Sequence, residues 1–480
     1  MIKLLSVLAV ATALTACGGG GGGLDVAGAS PAAAEATMSP MAATTTANGQ
    51  ATVSTTGGLS SFGQSPAYVR TRYGFDALTT PAQQGSGQTI VIISAYDNPN
   101  AGADLAAYST AKGLPGCPTV STTYTTNANG YTQAVVPKPA AGDGCTFQKF
   151  NANPNGLGAN PNVIQYDASG AWIAESNMDI QWAHAMAPMA KIVLVQGSNN
   201  FITSLSGAVK VASGFADVIS MSWGGYENAL TQVACTVTDL TYYPDCNITN
   251  KTQRSLYGPV NPVINGVTLY GGGGWDTGMF ANPNVTYIAA SGDGGANPLW
   301  PAVSNKVLAV GGTNDAGTVD TAWSYSGGGV SKYYSSPSWQ SVSGNTQRTT
   351  PDVAMPADSA SPMSIYISPQ TAMKDANCVT AKGAAACGWY AGYGTSVSAP
   401  MWAGLAAVTK AVRAQNGKPV VDFIASLYSV AAVQGNYVTA FTDVTTGSSS
   451  ASTPAKVGYD LVTGLGVPKA SALVGLLAAQ

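Results

Sequence analysis

The sequence predicts an α/β fold: a parallel β-sheet flanked by helices on both faces, in a single catalytic-sized domain. Two observations carry this. Short β-branched apolar runs recur along the chain, and helical stretches lie between them. A continuous apolar run of this length reads as a strand covered on both faces, the usual condition of a parallel sheet.

The runs are Thr89–Ser94 (TIVIIS), Lys191–Gln196, Asp217–Ser222, Thr286–Ser291 and Lys306–Gly311. Helices are expected over Ala171–Ala187, Phe201–Ser213, Ser396–Gln415 and Lys469–Ala479. Strand–helix alternation places a ligand site at the carboxyl ends of the strands. Insertions rich in Gly, Asn, Thr and Tyr, at about 118–165, 226–284 and 360–392, read as surface loops around a cleft. There is no repeat and no second apolar core, so residues 61–480 are expected to form one domain.

The N-terminus has a different character. Ile2-Lys3 precedes the apolar run Leu4–Leu14, which ends in Leu14-Thr15-Ala16-Cys17. A basic start, an apolar stretch and small residues make an export signal over residues 1–17. The run is too short to span a bilayer. Leu-Thr-Ala-Cys is similar to a bacterial lipobox, which implies that Cys17 carries lipid. The expected location is the bacterial cell envelope, or outside the cell, with membrane contact only through that anchor. Residues 18–60 are Gly, Ala, Ser and Thr with hardly a large apolar side chain, and read as a flexible linker.

Charged residues make up only 9% of the 480 residues, against roughly 25% in a typical soluble domain. Net charge is -3 and no Lys/Arg-rich patch occurs, so nucleic acid is not an expected partner. Acid unfolds proteins by protonating paired carboxylates and leaving repulsive positive charge. With 20 Lys+Arg and one His, this chain gains little positive charge, which suits work at low pH. Setting Cys17 aside leaves six cysteines, and an exported chain would join them as disulfides. Pairing sequence neighbours is simplest: Cys117 with Cys145, Cys235 with Cys246, and Cys378 with Cys387. There is no Cys-x-x-Cys and only one His, so zinc is not expected.

Three places could carry chemistry. Gly394-Thr395-Ser396-Val397-Ser398-Ala399-Pro400 feeds an apolar helix. That puts Ser396 at a helix N-terminus, where backbone N–H groups favour developing negative charge. An ordinary N-cap serine has the same spacing. The usual base would be the one histidine, His184. Glu175 and Asp179 precede it on one expected helix, a turn apart and so on one face. At about 100° per residue, His184 points away from Glu175. A partly buried carboxyl pair shares a proton and can do acid–base work at low pH; a solvated face or a metal pair would look alike. Third, Ser291-Gly292-Asp293-Gly294-Gly295 puts Asp293 at the carboxyl end of a strand. Protonated, it could donate to an oxyanion; as a turn residue it could bond its own backbone.

Taken together these motifs resemble the sedolisins, serine-carboxyl peptidases of subtilisin-like fold. Gly394 to Pro400 is similar to the nucleophile signature of subtilisin-like enzymes. Glu175-x-x-x-Asp179 with Ile180 to Pro188, Val218 to Gly224, Ala290 to Gly295, and Trp300 to Thr313 resemble sedolisins specifically. The resemblance runs in order over about residues 61–480. It implies Ser396 as nucleophile, Glu175 as general base and acid, Asp179 as its partner, and Asp293 as oxyanion donor. It implies that Ser222, Trp223 and Gly224 pair with the backbone of a protein or peptide substrate, and that the optimum is acidic. It also implies one structural Ca²⁺ near residues 441–466, held by Asp443 and Asp460 carboxylates and the carbonyls of Val444, Lys456 and Gly458. Lys456 stands where the family often has a small residue. Many members carry a long folded propeptide. Here a signal and a linker are read instead, so folding without a chaperoning prodomain, or with another partner, is expected, and the timing of activation stays open. A monomer is expected. Two alternatives are a Ser-His-Asp hydrolase built on His184 and a catalytically silent surface lipoprotein binding peptide or glycan. The Gly-x-Ser-x-Gly elbow of lipases is absent.

Overall fold

Seven parallel strands form the centre of the molecule, and all but the one near the sheet edge bury nearly every residue on both faces. The computed structural model describes residues 63–167, 170–227, 276, 278–368, 388–450 and 453–480, with the backbone of the short strands at 39–40, 43–46, 59–60, 263–264 and 267–268. All belong to one unit, Glu35–Gln480. The strands are β1 (Thr89–Ala95), β2 (Phe147–Ala152), β3 (Lys191–Gly197), β4 (Val218–Met221), β5 (Thr286–Ala290), β6 (Val307–Asp315) and β7 (Val353–Pro356). They lie in the order β2-β3-β1-β4-β5-β6-β7, every neighbour parallel.

The apolar runs follow from this arrangement. Ile90 and Ile92 enter the core on one face, and Val91 and Ile93 enter the core on the other. Ile192 with Leu194 and Val193 with Val195 divide the same way. A strand covered on both sides has no position at which water asks for a polar side chain. The helices are α1 (Pro66–Arg72), α2 (Ala101–Lys112), α3 (Ala171–Met186), α4 (Ile202–Ala212), α5 (Thr395–Gln415), α6 (Phe423–Ala431), α7 (Gln434–Ala440) and α8 (Ala470–Ala479). Residues of α2, α3, α5 and α8 fill one core, and α4 belongs to the other. Helices therefore cover both faces, and each expected helix forms within a residue of its expected start. No helix among the described residues is long and apolar enough to cross a membrane.

Three expectations need correction. The stretch at about 118–165 is not simply loop: it contributes a hairpin, Thr123–Thr126 with Thr132–Val135, and strand β2. Its polar look has a physical cause, because β2 lies near the sheet edge and Lys149 and Asn151 are only partly covered. The ends of the 360–392 stretch also order. Met363–Tyr366 and Trp389–Tyr393 pair antiparallel in a second sheet. Finally, the stretch from 18 to 60 is not wholly linker, because Ser39–Pro40, Ala43–Thr46 and Leu59–Ser60 are paired strands.

A disulfide joins Cys117 and Cys145. Cys17, Cys235, Cys246, Cys378 and Cys387 lie outside the described residues.

Candidate active site

Helix α3 is buried on every side: each residue from Trp172 to Met186 is shielded from water. Its polar side chains must therefore find partners within the protein. Gln181 exchanges hydrogen bonds with the backbone of Tyr366, and Trp182 donates to the Ser364 carbonyl. Asn177 donates to Asp104. These bonds hold the helix in place, with Glu175 and Asp179 a turn apart on one face.

Asp179 is fully buried, and burial holds its carboxyl well above the usual carboxylate range, against a hydrogen bond from Ser222. The Ser222 hydroxyl donates to Asp179 Oδ1 at 2.6 Å. Asp179 Oδ2 has no hydrogen-bond partner among the described residues. Ser222 is the first residue beyond β4, so a strand end reaches the carboxylate helix. Glu175 is also buried, 1% exposed.

Ser396 meets the same residue. Its Oγ donates to the Ser222 carbonyl over a long 3.4 Å, and the Ser222 hydroxyl lies 3.3 Å from the Ser396 carbonyl. The sequence explains the second contact. In a helix the N–H four residues on would bond the Ser396 carbonyl, but that residue is Pro400, which has none. The hydroxyl of Ser222 meets the freed oxygen. Ser398 and Trp402 anchor the same helix on β7 through the carbonyls of Met355, Pro356 and Ala354. Helices α3 and α5 pack directly together. Gly404 permits this, because a Cβ there would collide with Met186 Cβ and crowd Ala183 O and Ala187 N.

Asp293 follows β5, the strand next to β4. Its Oδ1 accepts two hydrogen bonds from Thr395, from the backbone N–H at 2.8 Å and the hydroxyl at 2.7 Å. The same hydroxyl accepts from Gly292 N–H. Burial pushes the Asp293 carboxyl up to about 7 against the two Thr395 bonds. Asp293 thus sits one residue from Ser396 and carries a proton in acid. Thr395 was not singled out in the sequence, although it lies inside the Gly-Thr-Ser motif.

His184 is elsewhere. Its Nε2 lies 2.9 Å from the Pro115 carbonyl, beside the Cys117–Cys145 disulfide. Burial pushes it down to about 4, the Pro115 bond opposing and Arg70 assisting. No described hydrogen bond takes it to Ser396. Trp223 is buried, its indole N–H bonded to the Ile93 carbonyl, and Trp223–Tyr226 pairs antiparallel with Leu299–Trp300.

The expected calcium ligands meet in two pairs, Asp443 with Gly458 and Asp460 with Lys456. Asp443 Oδ2 accepts from Gly458 N–H, and Asp460 accepts from the N–H groups of Lys456, Val462 and Thr463. Among the described residues no hydrogen bond reaches the carbonyls of Val444, Lys456 or Gly458. Two carboxylates and three carbonyls without a described donor are all-oxygen ligands of the kind that Ca²⁺ takes.

Comparison with known proteins bears on the family and the fold. The subtilase family model matches residues 168–458. Kumamolisin from Bacillus sp. (strain MN-32) is 27% identical over 331 residues, 61% of this chain and 49% of that protein. The chain thus spans about half the length of the curated relative it matches. Among solved structures, Pseudomonas sedolisin, a serine-carboxyl proteinase complexed with pseudo-iodotyrostatin, matches with a TM-score of 0.58 and 20% identity over 87% of this chain and 99% of that one. The chain belongs to the subtilase family.

Proposed function

We propose that this chain is an exported serine endopeptidase that hydrolyses peptide bonds in acid through an acyl-enzyme on Ser396. One observation carries the reading: Ser222 touches both the buried Asp179 carboxylate and the backbone and hydroxyl of Ser396, while the histidine is bonded elsewhere.

In this reading the Ser396 hydroxyl attacks the scissile carbonyl carbon. Glu175 takes the hydroxyl proton and then gives it to the leaving amine. Asp179, a turn away, shares the proton with Glu175 and sets how readily it moves. Negative charge builds on the former carbonyl oxygen. Asp293 is neutral below about pH 7. Both Thr395 donors fall on its Oδ1, so Oδ2 is the oxygen that would carry a proton toward the oxyanion, with the Ser396 N–H as second donor. That role is lost as pH rises through about 7, because an ionised Asp293 cannot donate. Water then hydrolyses the ester.

The N-terminal features belong to the same proposal. Export with lipid on Cys17 would place the enzyme in the cell envelope, and the Cys117–Cys145 disulfide suits that oxidising compartment. A structural Ca²⁺ held by Asp443, Asp460 and the carbonyls of Val444, Lys456 and Gly458 would tie the loop before α8 to the segment after α7. The silent lipoprotein is not favoured, since Glu175, Asp179, Asp293 and Ser396 are all retained.

The test is casein hydrolysis between about pH 3 and 5, the range in which Asp293 is protonated and carboxyl groups begin to ionise. The Ser396→Ala variant should lose the activity. Equal activity in that variant would refute the mechanism.

A further inference from the structure

Helix α3 ends beside a pair of sulfurs. His184 stands in its last turn. Cys117 lies in the chain after α2, and Cys145 lies just before β2. All three residues are buried, and a ring nitrogen of His184 and the two sulfurs lie within 4.8 Å of one another. Three segments far apart in sequence thus bring two sulfurs and an imidazole to one point.

The imidazole is held in one orientation. Its Nε2 lies 2.9 Å from the Pro115 carbonyl. A carbonyl only accepts, so Nε2 carries the hydrogen. Burial keeps the ring neutral at neutral pH, which leaves Nδ1 with a bare lone pair. Nδ1 is buried and has no hydrogen-bond partner among the described residues. A metal-binding histidine is usually held this way, one ring N–H on a backbone carbonyl and the other nitrogen free to ligate. While Cys117 and Cys145 are joined, the sulfurs are not thiolates. Once opened, they supply two.

We propose that Cys117, Cys145 and His184 hold one Cu⁺ ion after a thiol has reduced the disulfide. The choice of metal rests on the kind and number of ligands. Thiolate and imidazole both suit copper. Zinc is almost always four-coordinate, and among the described residues no fourth Cys, His or carboxylate joins the three. Ligand atoms roughly 2.0–2.3 Å from one ion span about the distance found between these atoms. Two molecules of thiol give two electrons and two protons and leave as their own disulfide, and Cys117 and Cys145 become thiols. Cu⁺ then displaces both thiol protons to water, with no change of oxidation state. The complex carries one net negative charge. Arg70, which donates to the Ala185 and Met186 carbonyls just beyond His184, brings positive charge close to it. Cys145, Gly144 and Thr146 line a cavity of about 530 Å³, a route for both thiol and metal. The ion would tie residues 117 and 145 to the helix that carries Glu175 and Asp179, a link the disulfide does not make.

His184 is the one histidine of the chain, so ¹⁵N-histidine labelling reports on this place alone, whatever the other thiols bind. The full chain is reduced with excess thiol at neutral pH, freed of it without air, and titrated with Cu⁺, which is diamagnetic. The Nδ1 resonance should leave the position of a bare acceptor as Cu⁺ is added, while Nε2 keeps its proton. The chain with its disulfide intact should show no such movement, nor should reduced Cys117→Ser with Cys145→Ser. In a second arm every other cysteine is serine, and Cu⁺ affinity is read by competition with a chromogenic chelator. There His184→Ala should weaken binding at least about tenfold. An Nδ1 resonance unmoved in the folded, reduced chain overturns the proposal. So does movement without the two thiols, an unchanged affinity in His184→Ala, or a chain that unfolds on reduction and is not restored by Cu⁺. Tighter binding of Zn²⁺ than of Cu⁺ overturns the choice of copper.

Discussion

Ser222 joins the two halves of the site, and the effect of its removal can be stated. Its hydroxyl stabilises ionised Asp179 and so opposes the upward push of burial. In Ser222→Ala the Asp179 carboxyl should rise further, and the acid limb of kcat/KM should move to higher pH by about one unit, the worth of one hydrogen bond to a charged group. kcat should fall with little change in KM, because the hydroxyl reaches Asp179 and not the substrate. An unmoved pH profile would make Ser222 a packing residue. At this scale the sequence was partly legible. Glu175, Asp179, Asp293 and Ser396 stand in recognisable motifs, and His184 could be set aside from helix geometry. The Ser222 hydroxyl and Thr395 could not be assigned, because their roles depend on which strand end meets which helix face. Ser39–Pro40 and Ala43–Thr46 were read as linker because nothing in such small residues marks the strands they pair with.

Between elements, the approach of α3 to α5 sets the geometry, and Gly404 sets the approach. Gly404→Val should force the helices apart. The expected cost is about 1–3 kcal/mol of stability, typical of overpacking, with kcat falling more than KM rises, measured by thermal unfolding and casein kinetics. A variant with unchanged kcat would show that helix separation does not govern catalysis. The main helices and the central strands were legible because their patterns report burial directly. Val353–Pro356 was not, since three apolar residues ending at a proline are too short a run to read as a strand. Its strand character comes from pairing with Val307–Asp315. Phe147–Ala152 was missed because a strand near the edge keeps polar side chains.

For the molecule as a whole, buried carboxyl groups decide how stability varies with pH. Asp104, Asp276 and Asp320 are pushed up to about 6 by burial, Asp293 to about 7, and Asp179, Glu227 and Asp460 also rise. Their unfolded values lie near 4. A raised acid stabilises the fold fully below its unfolded value and ceases to as pH rises through the folded one. His184, pushed down to about 4, works the other way: its contribution is complete above about 6.5 and is lost as pH falls toward 4. Seven carboxyls outweigh one imidazole, so Tm should rise by several degrees from pH 8 to pH 5, measured with chelator present throughout. Added Ca²⁺ should raise Tm further at both pH values, and no shift would remove the metal from the account. The scarcity of charge in the sequence hinted at acid tolerance, but the buried carboxyls that favour it appear only in three dimensions. The central claim is that a carboxyl pair, and not the histidine, activates Ser396. Casein hydrolysis near pH 4 by Glu175→Gln and His184→Ala tests it most directly: the first should lose nearly all activity and the second should keep most of it. An active Glu175→Gln, or an inactive but folded His184→Ala, would contradict the account.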